Sequence, residues 1–201
     1  DLAGRGVLIV GGGKVAARKV AGLLESGAHI TVVAPEVCGE LEGMAGSVSI
    51  EKREYAAADG GDKWLVIAAT GDSALNEAVS VDAAAARILC NVVDKPALCA
   101  VQVPAVLRRG LLQIAVSTGG ASPALAGKIR RQLEEIFPET YEQLLDALLD
   151  LRKHYQQKYP EDGAHRRELL QSFVNSAAPD LLLKSVDAEA FSCELERWKS
   201  R

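Results

Sequence analysis

The sequence lacks any apolar run close to the roughly 18 residues that a membrane-spanning helix needs, and this absence excludes such a helix. It also lacks a surplus of basic residues, because 23 Lys and Arg stand against 27 Asp and Glu, for a formal net charge of -4. This balance argues against bulk binding of nucleic acid, so an acidic ligand would need a local basic patch. No signal peptide precedes the first apolar segment, and we expect a cytoplasmic protein.

The residue spacings of a disulfide or zinc framework are also missing. No C-x-x-C pair occurs among the four cysteines, and the three histidines are scattered along the chain. These residues are Cys38, Cys90, Cys99, Cys193, His29, His154 and His165. We therefore expect reduced, non-ligating cysteines and no metal site made of protein ligands.

What the first hundred residues do show is an alternation of strand and helix patterns. Short continuous apolar runs, typical of strands covered on both faces, occur at 7–10, at 29–33, and within "SVSIEKREY", "GDKWLVIAAT" and "ILCNVV". Helical patterns occupy about 15–26 and "DSALNEAVSVDAAAAR", where Asp72 or Ser73 is the expected N-cap. This βαβ rhythm predicts an α/β fold with a Rossmann-like, doubly wound parallel sheet.

The pattern changes after the fifth strand. "KPALCAVQVPAVLRRG" has little helical periodicity and is interpreted as a connection, whereas "LLQIAVST" is predicted to be another strand. A helix follows in "GGASPALAGKIRRQLEEIF", with Ser122 as its N-cap, Pro123 at its first position and Pro138 at its end. Beyond Glu139 we predict short amphipathic helices, in "TYEQLLDALLDLRKHYQQKY", "AHRRELLQSFVNS" and "DAEAFSCELERWKS".

A glycine-rich stretch joins the first strand to the first helix and has the form of a dinucleotide-binding loop. "GGGKVA" fits G-x-G-x-x-G/A, in which Gly11 makes the tight turn and Gly13 lets the backbone approach a pyrophosphate. Lys14 and Val15 begin the helix, whose N-terminal N–H groups and dipole favour an anion. The alternative is a glycine turn in a sheet that binds nothing.

The end of the second strand lacks the carboxylate that usually binds the ribose hydroxyls. "TVVAPE" has Ala34 and Pro35 at that place, and Glu36 follows them. No arginine stands close behind to bind a 2′-phosphate. We therefore expect NAD rather than NADP, with Pro35 and Glu36 beside its ribose.

Five motifs follow one another along the chain, namely "VGGGKVAARK", "VVAPE", "IAATGD", "CNVVDKP" and "VSTGGASPALAGKIR". Together and in this order they resemble a single family, the precorrin-2 dehydrogenases of sirohaem synthesis. The family includes the N-terminal half of bacterial sirohaem synthase and a fungal bifunctional dehydrogenase/ferrochelatase. The resemblance implies NAD-dependent removal of a hydride from precorrin-2, giving sirohydrochlorin for sirohaem or cobalamin. Some members also insert ferrous iron, and since both types share these motifs, iron or cobalt stays open as a co-substrate.

The same resemblance implies a domain organisation. Residues 1–103 would form an NAD-binding Rossmann domain, 104–138 a small α+β segment for dimerisation and substrate binding, and 139–201 a helical C-terminal region. We therefore expect a homodimer. The chain length matches the stand-alone dehydrogenase type of the family.

Asp94, directly after the fifth strand, is the candidate catalytic residue. It stands at the carboxyl edge of the sheet, where ligands bind in open α/β folds. The aspartate of the family's "NVVD" motif is the proposed acid/base for dehydrogenation and for metal insertion. The alternative is a turn former before Lys-Pro. The matching motifs add Ala69, Thr70 and Asn91 to the cofactor-binding residues, although Asn91 fits a plain strand-end side chain equally well.

The segment "VSTGGASP" is the candidate substrate site. Two glycines before a capped helix make a nest of backbone N–H groups suited to the carboxylates of precorrin-2. The expected substrate-binding residues are Ser117, Thr118, Gly119, Gly120 and Ser122. A glycine-rich turn capped by Ser122 is the structural alternative, and the two are compatible. The family usually has a serine where this chain has Thr118.

Two other functions fit parts of the pattern. A nucleotide-sensing regulatory Rossmann module explains the glycine loop, but it assigns nothing to "NVVDKP" and "TGGASP" and normally carries the acid that is missing after the second strand. An NAD-dependent dehydrogenase of another acidic small molecule keeps NAD and Asp94 and changes only the substrate.

Overall fold

The computed structural model describes residues 1–184 and 188–201, and the chain divides into two compact units, 1–103 and 104–201. No helix among these described residues combines the length and the apolar character that crossing a bilayer requires. The helix predicted from "DAEAFSCELERWKS" starts at Asp187, which lies outside the described residues.

The first unit is built on a five-stranded parallel sheet in the order β3-β2-β1-β4-β5. Its strands are β1 (Gly6–Val10), β2 (His29–Val33), β3 (Ser49–Glu51), β4 (Lys63–Ala68) and β5 (Leu89–Val92). The helices between them are α1 (Lys14–Leu24), the short α2 (Gly39–Glu42) and α3 (Ser73–Ala85). The predicted Rossmann-like doubly wound sheet is confirmed.

Successive side chains of a strand point to opposite faces of the sheet. Because both faces carry apolar side chains, helices cover both of them. On one face Ile9 belongs to a buried cluster with Ala16 of α1. On the other face Leu8 belongs to a cluster with Val79 of α3. A strand buried on both sides needs apolar residues at every position, which explains the continuous run in β1.

The second unit combines a β-hairpin with helices. Its elements are β6 (Ala105–Arg109), β7 (Leu112–Val116), α4 (Pro123–Ile136), α5 (Thr140–Lys158), α6 (Gly163–Val174), α7 (Ala178–Leu183) and α8 (Ala188–Ser200). The two strands pair antiparallel. The helical core holds Leu151, Tyr155, Phe173 and Trp198, and the buried Tyr155 hydroxyl donates to the Trp198 carbonyl oxygen at 2.6 Å.

Three elements differ from the sequence-based expectations. β6 lies in the stretch that we interpreted as a connection, because its strand character comes from pairing with β7 rather than from an alternating pattern of its own. Pro104 stands directly before β6, where its missing N–H removes no ladder bond. The short helices α2 and α7 were not predicted, since four and six residues are too few to display a helical period.

Candidate functional site

A cavity of about 630 Å³ opens at the carboxyl edge of the parallel sheet. Its walls are the loops that follow β1, β2 and β4, together with Glu54 and Tyr55 after β3. β1 lies between β2 and β4, so the chain leaves β1 in one direction and later returns on its other side. Such a switch point is where open α/β sheets bind their ligands.

The glycine loop forms one wall, and its three glycines have different reasons to be glycine. Gly11 has a φ of +127°, and a Cβ there would lie 2.4 Å from the Ala69 carbonyl oxygen. A Cβ on Gly12 would lie 1.8 Å from the Glu36 carbonyl oxygen. The fold therefore requires glycine at both positions, although the sequence pattern treats Gly12 as a free position.

Gly13 is different because a Cβ there would meet nothing within 4 Å. Its backbone is extended, it is the N-cap of α1, and it lines the cavity. Neither packing nor dihedral angles demand glycine at this position. The open space before the N-terminus of α1 fits an approaching pyrophosphate, which the N–H groups of that terminus would bind.

The loop after β4 is hydrogen-bonded to a buried amide on α3, which the sequence did not reveal as part of the site. Asn76 on α3 is 5% exposed, and its Oδ1 accepts from the Thr70 hydroxyl at 2.8 Å. Its Nδ2 donates to the Thr70 carbonyl oxygen at 3.0 Å, while Asp72 caps α3 as predicted. Ala69 and Thr70 line the cavity, so Asn76 supports the predicted cofactor residues from behind. The only indication of this role in the sequence is that Asn76 lies four residues after Asp72, the N-cap of α3.

The charged residues that line the cavity are all acidic. Glu36, Glu54 and Asp72 line it, and none of the lining residues in the described part of the chain is Lys or Arg. Arg53 stands beside Glu54, but its guanidinium binds the Asp59 carboxylate with contacts of 2.7 and 2.8 Å. These bonds hold the pKa of Asp59 below its usual value.

Tyr55 ties this wall to α3. Its hydroxyl donates to the Asp82 carboxylate at 3.1 Å, across 27 residues of sequence. The pKa of Tyr55 is raised above its ordinary value, mainly by burial and to a smaller extent by this hydrogen bond. The wall is therefore fixed at two points, through Asp59 and through Asp82.

Three predicted cofactor residues do not line the cavity with their side chains. Lys14 is exposed at the start of α1, and Val15 packs against the core beside that helix. Asn91 is buried on β5, and its Nδ2 donates to the Val101 carbonyl oxygen at 2.9 Å. Asn91 thereby fastens the chain where it folds back along β5, and its contact with the nicotinamide stays a prediction.

Asp94 occupies a turn after β5 in a left-handed conformation, with a φ of 59°. The Lys95 N–H and the Val92 carbonyl oxygen, 3.4 Å apart, close the turn. Glycine, asparagine and aspartate are the residues that most often adopt this conformation, so the backbone here fits a turn-forming aspartate. The carboxylate is exposed and does not line the cavity.

A lysine lies within electrostatic range of this turn. Burial lowers the pKa of Lys19 on α1, as does the neighbouring Arg18, whereas the charge of Asp94 opposes that change. Asp94 therefore combines a turn-forming backbone with an accessible acid near a half-buried cation.

The segment 117–122 lies in the second unit between β7 and α4. Gly119 and Gly120 have φ values of 61° and 85°, and Ser122 caps α4 by accepting from the Leu125 N–H, which confirms the predicted cap. Internal bonds use several N–H groups of the expected nest. Gly119 donates to the Ser117 hydroxyl, Ala121 to the Thr118 carbonyl oxygen and Ser122 to the Thr118 hydroxyl. The loop is thus pre-shaped, with fewer free donors than the sequence suggested.

Two family models match the chain. The one described as "Putative NAD(P)-binding" matches residues 1–105, more than half of the chain, and "Sirohaem biosynthesis protein central" matches residues 109–136. Similar curated proteins include the siroheme synthase of Ectopseudomonas mendocina (strain ymp), 46% identical over 80% of this chain and 35% of its own length. That of Pseudomonas putida (strain W619) is 43% identical over 94% of this chain and 41% of its own length.

The chain thus spans about two fifths of the length of the curated relatives that it matches. A solved structure, "SirC, precorrin-2 dehydrogenase", matches almost from end to end. The TM-score is 0.77 at 31% sequence identity, and the match covers 98% of this chain and 96% of that one. With this fold, this order of motifs and this coverage, the chain belongs to the precorrin-2 dehydrogenase family.

Proposed function

We propose that the chain catalyses the NAD-dependent dehydrogenation of precorrin-2 to sirohydrochlorin. The observation that carries the cofactor part of this proposal is the position of Gly13, which lines the cavity at the N-terminus of α1 with open space for a pyrophosphate. Membership of the precorrin-2 dehydrogenase family supports the choice of substrate.

The cavity favours NAD over NADP. The family model covers both cofactors. A 2′-phosphate carries a large negative charge and would meet Glu36 and Glu54 with no cation among the described lining residues. The ribose hydroxyls of NAD, in contrast, are donors that a carboxylate accepts from. When bound, the nicotinamide supplies the hydride acceptor of the reaction.

The protein's own contribution is to position the cofactor and to remove a proton. Loss of a hydride and a proton from precorrin-2 balances the two hydrogens by which it differs from sirohydrochlorin. We assign the proton to Asp94, an exposed carboxylate beyond the carboxyl end of β5. Its exposure beyond the carboxyl end of β5 and the match to the family's "NVVD" motif support a chemical role for this side chain.

The substrate and assembly roles of the second unit extend this proposal. Residues 104–138 would provide dimerisation and substrate binding, with Ser117, Thr118, Gly119, Gly120 and Ser122 facing carboxylates, and residues 139–201 would form the helical region. The homodimer and the cytoplasmic location remain predictions from the sequence. Sedimentation of the purified chain at several concentrations measures the first of them.

Ferrous iron or cobalt would be a second substrate if the chain also metallates sirohydrochlorin. Metal insertion releases two protons from the macrocycle, and Asp94 is again the candidate acceptor. Supplying either metal to sirohydrochlorin with the purified chain and following the macrocycle spectrum tests this extension.

The main proposal is tested by incubating the purified chain anaerobically with precorrin-2 and either NAD or NADP. We expect sirohydrochlorin to form with NAD and much more slowly with NADP. Equal rates with the two cofactors would contradict the role assigned to Glu36 and Glu54 in selecting NAD. No product with either cofactor would contradict the proposed function.

A further inference from the structure

The helical part of the second unit contains a pocket of about 390 Å³ between α5 and α6. It is lined by Arg152, Gln156, Gly163, Arg166, Arg167 and Leu170. We call this set the arginine pocket. Its volume falls within the range of about 300–1,000 Å³ that is typical of small-molecule sites.

Three arginines line this pocket, and no Asp or Glu among the described residues lines it. Arg152 and Gln156 lie one turn apart on α5, while Arg166 and Arg167 come from the first turns of α6. The pocket therefore concentrates positive charge in a protein whose formal net charge is -4.

Arg166 is anchored in the turn between the two helices. Its Nη1 donates to the carbonyl oxygens of Tyr159 and, at 2.6 Å, of Pro160. Arginine has five N–H donors, so these two bonds leave Nε and Nη2 available in a fixed orientation. A donor whose position is set by the backbone loses little freedom when an anion binds.

The other two arginines contrast with the basic residues around them. Four basic residues of the helical region each pair with a carboxylate three or four residues away, namely Lys153, Lys184, Arg197 and Lys199. Within residues 1–184 and 188–201, neither Arg152 nor Arg167 has an ion-pair partner. Arg152 and Arg167 thus lie at the pocket with their charges not balanced by a carboxylate of the described residues.

From this arrangement we propose that the arginine pocket binds a small polyanion, whose carboxylate or phosphate groups pair with the guanidinium groups of Arg152, Arg166 and Arg167. Guanidinium groups match the planar geometry of both anions and bind them bidentately. Gln156 adds an amide donor, and Leu170 supplies an apolar wall. The arginine pocket shares no lining residue with the sheet-edge cavity, and the proposal does not depend on the proposed dehydrogenation.

The test uses two probes, citrate as a tricarboxylate and inorganic pyrophosphate, measured by titration calorimetry at low ionic strength. Saturating NAD is present throughout, so that pyrophosphate does not report on the glycine loop. We expect Arg152→Gln/Arg167→Gln to weaken binding of the preferred probe about tenfold or more. A preference for citrate identifies a carboxylate ligand, and one for pyrophosphate identifies a phosphate ligand.

The matched control is Lys153→Gln/Lys184→Gln, which removes the same net charge from exposed residues that are already paired. We expect the control to bind like the unmodified chain. An equal loss in both double variants would show diffuse charge attraction instead of a site. Absence of binding by the unmodified chain to either probe would also overturn the proposal. Circular dichroism of both variants checks that the helices are intact.

Discussion

Substitution of the neighbouring residues Gly12 and Gly13 distinguishes what folding requires of the glycine loop from what cofactor binding requires of it. Gly12→Ala places a Cβ at 1.8 Å from the Glu36 carbonyl oxygen, so the two loops must separate by about 1 Å or more. Overpacking of this kind costs about 1–3 kcal/mol. For a unit of this size each kcal/mol lowers the melting temperature by about 4–8 °C. We expect Gly12→Ala to melt clearly below the unmodified chain.

Gly13→Ala should behave in the opposite way. The added methyl meets no protein atom within 4 Å, and the extended backbone accepts alanine. The weaker cap and the smaller entropy of the unfolded chain offset each other, so stability should change by less than about 0.5 kcal/mol. The methyl would nonetheless occupy the space of the pyrophosphate, and losing about 1.4–2.8 kcal/mol of binding weakens NAD by ten- to a hundredfold.

The assay pairs thermal unfolding by circular dichroism with NAD titration by calorimetry, on both variants. Intact stability with weakened NAD in Gly13→Ala, and lost stability in Gly12→Ala, is the expected outcome. NAD binding by Gly13→Ala at the unmodified affinity would refute the assignment of the pyrophosphate to this loop. A Gly12→Ala variant as stable as the unmodified chain would refute the packing argument.

Three further variants test the roles of individual carboxylates. Asp94→Asn keeps the shape and suits the left-handed backbone, so it should retain stability and NAD binding but lose turnover; normal turnover would make Asp94 only a turn former. Glu36→Gln/Glu54→Gln should raise the ratio of kcat/KM with NADP to kcat/KM with NAD about fivefold, whereas an unchanged ratio would show that these two carboxylates do not determine the preference for NAD. Asp59→Asn should destabilise the first unit by about 1 kcal/mol at neutral pH, measured by urea unfolding. Because the pKa of Asp59 is lowered in the folded state, its contribution to the free energy of unfolding is complete above the ordinary pKa of about 3.9 and is lost as the pH falls below that value. The unmodified chain and Asp59→Asn should therefore reach the same stability in acid. A difference that persists in acid would contradict the ion pair.

The sequence was sufficient to predict the five strands of the first unit, their succession along the chain and the place of the glycine loop. Both depend on local patterns, namely the fully apolar strands and the G-x-G-x-x-A spacing after β1. The resemblance to precorrin-2 dehydrogenases also proved correct. These features need no knowledge of which distant residues meet.

The features that the sequence did not reveal all depend on distant contacts. Gly12 is required because the chain after β2 passes over it, and Tyr55 helps to fix the cavity wall through Asp82, 27 residues away. Asn91 has the polar character of a ligand-binding residue, but its amide is used by the chain that folds back along β5. β6 is a strand because β7 pairs with it. No local pattern encodes such pairings.

The most direct measurement is a single turnover of the unmodified chain with equimolar NAD and precorrin-2 under nitrogen, recording NADH and sirohydrochlorin in the same sample. We predict that the two products appear together in a one-to-one ratio and at the same rate. Sirohydrochlorin that forms without NADH, or precorrin-2 that stays unchanged while NAD is bound, would contradict the proposed dehydrogenation.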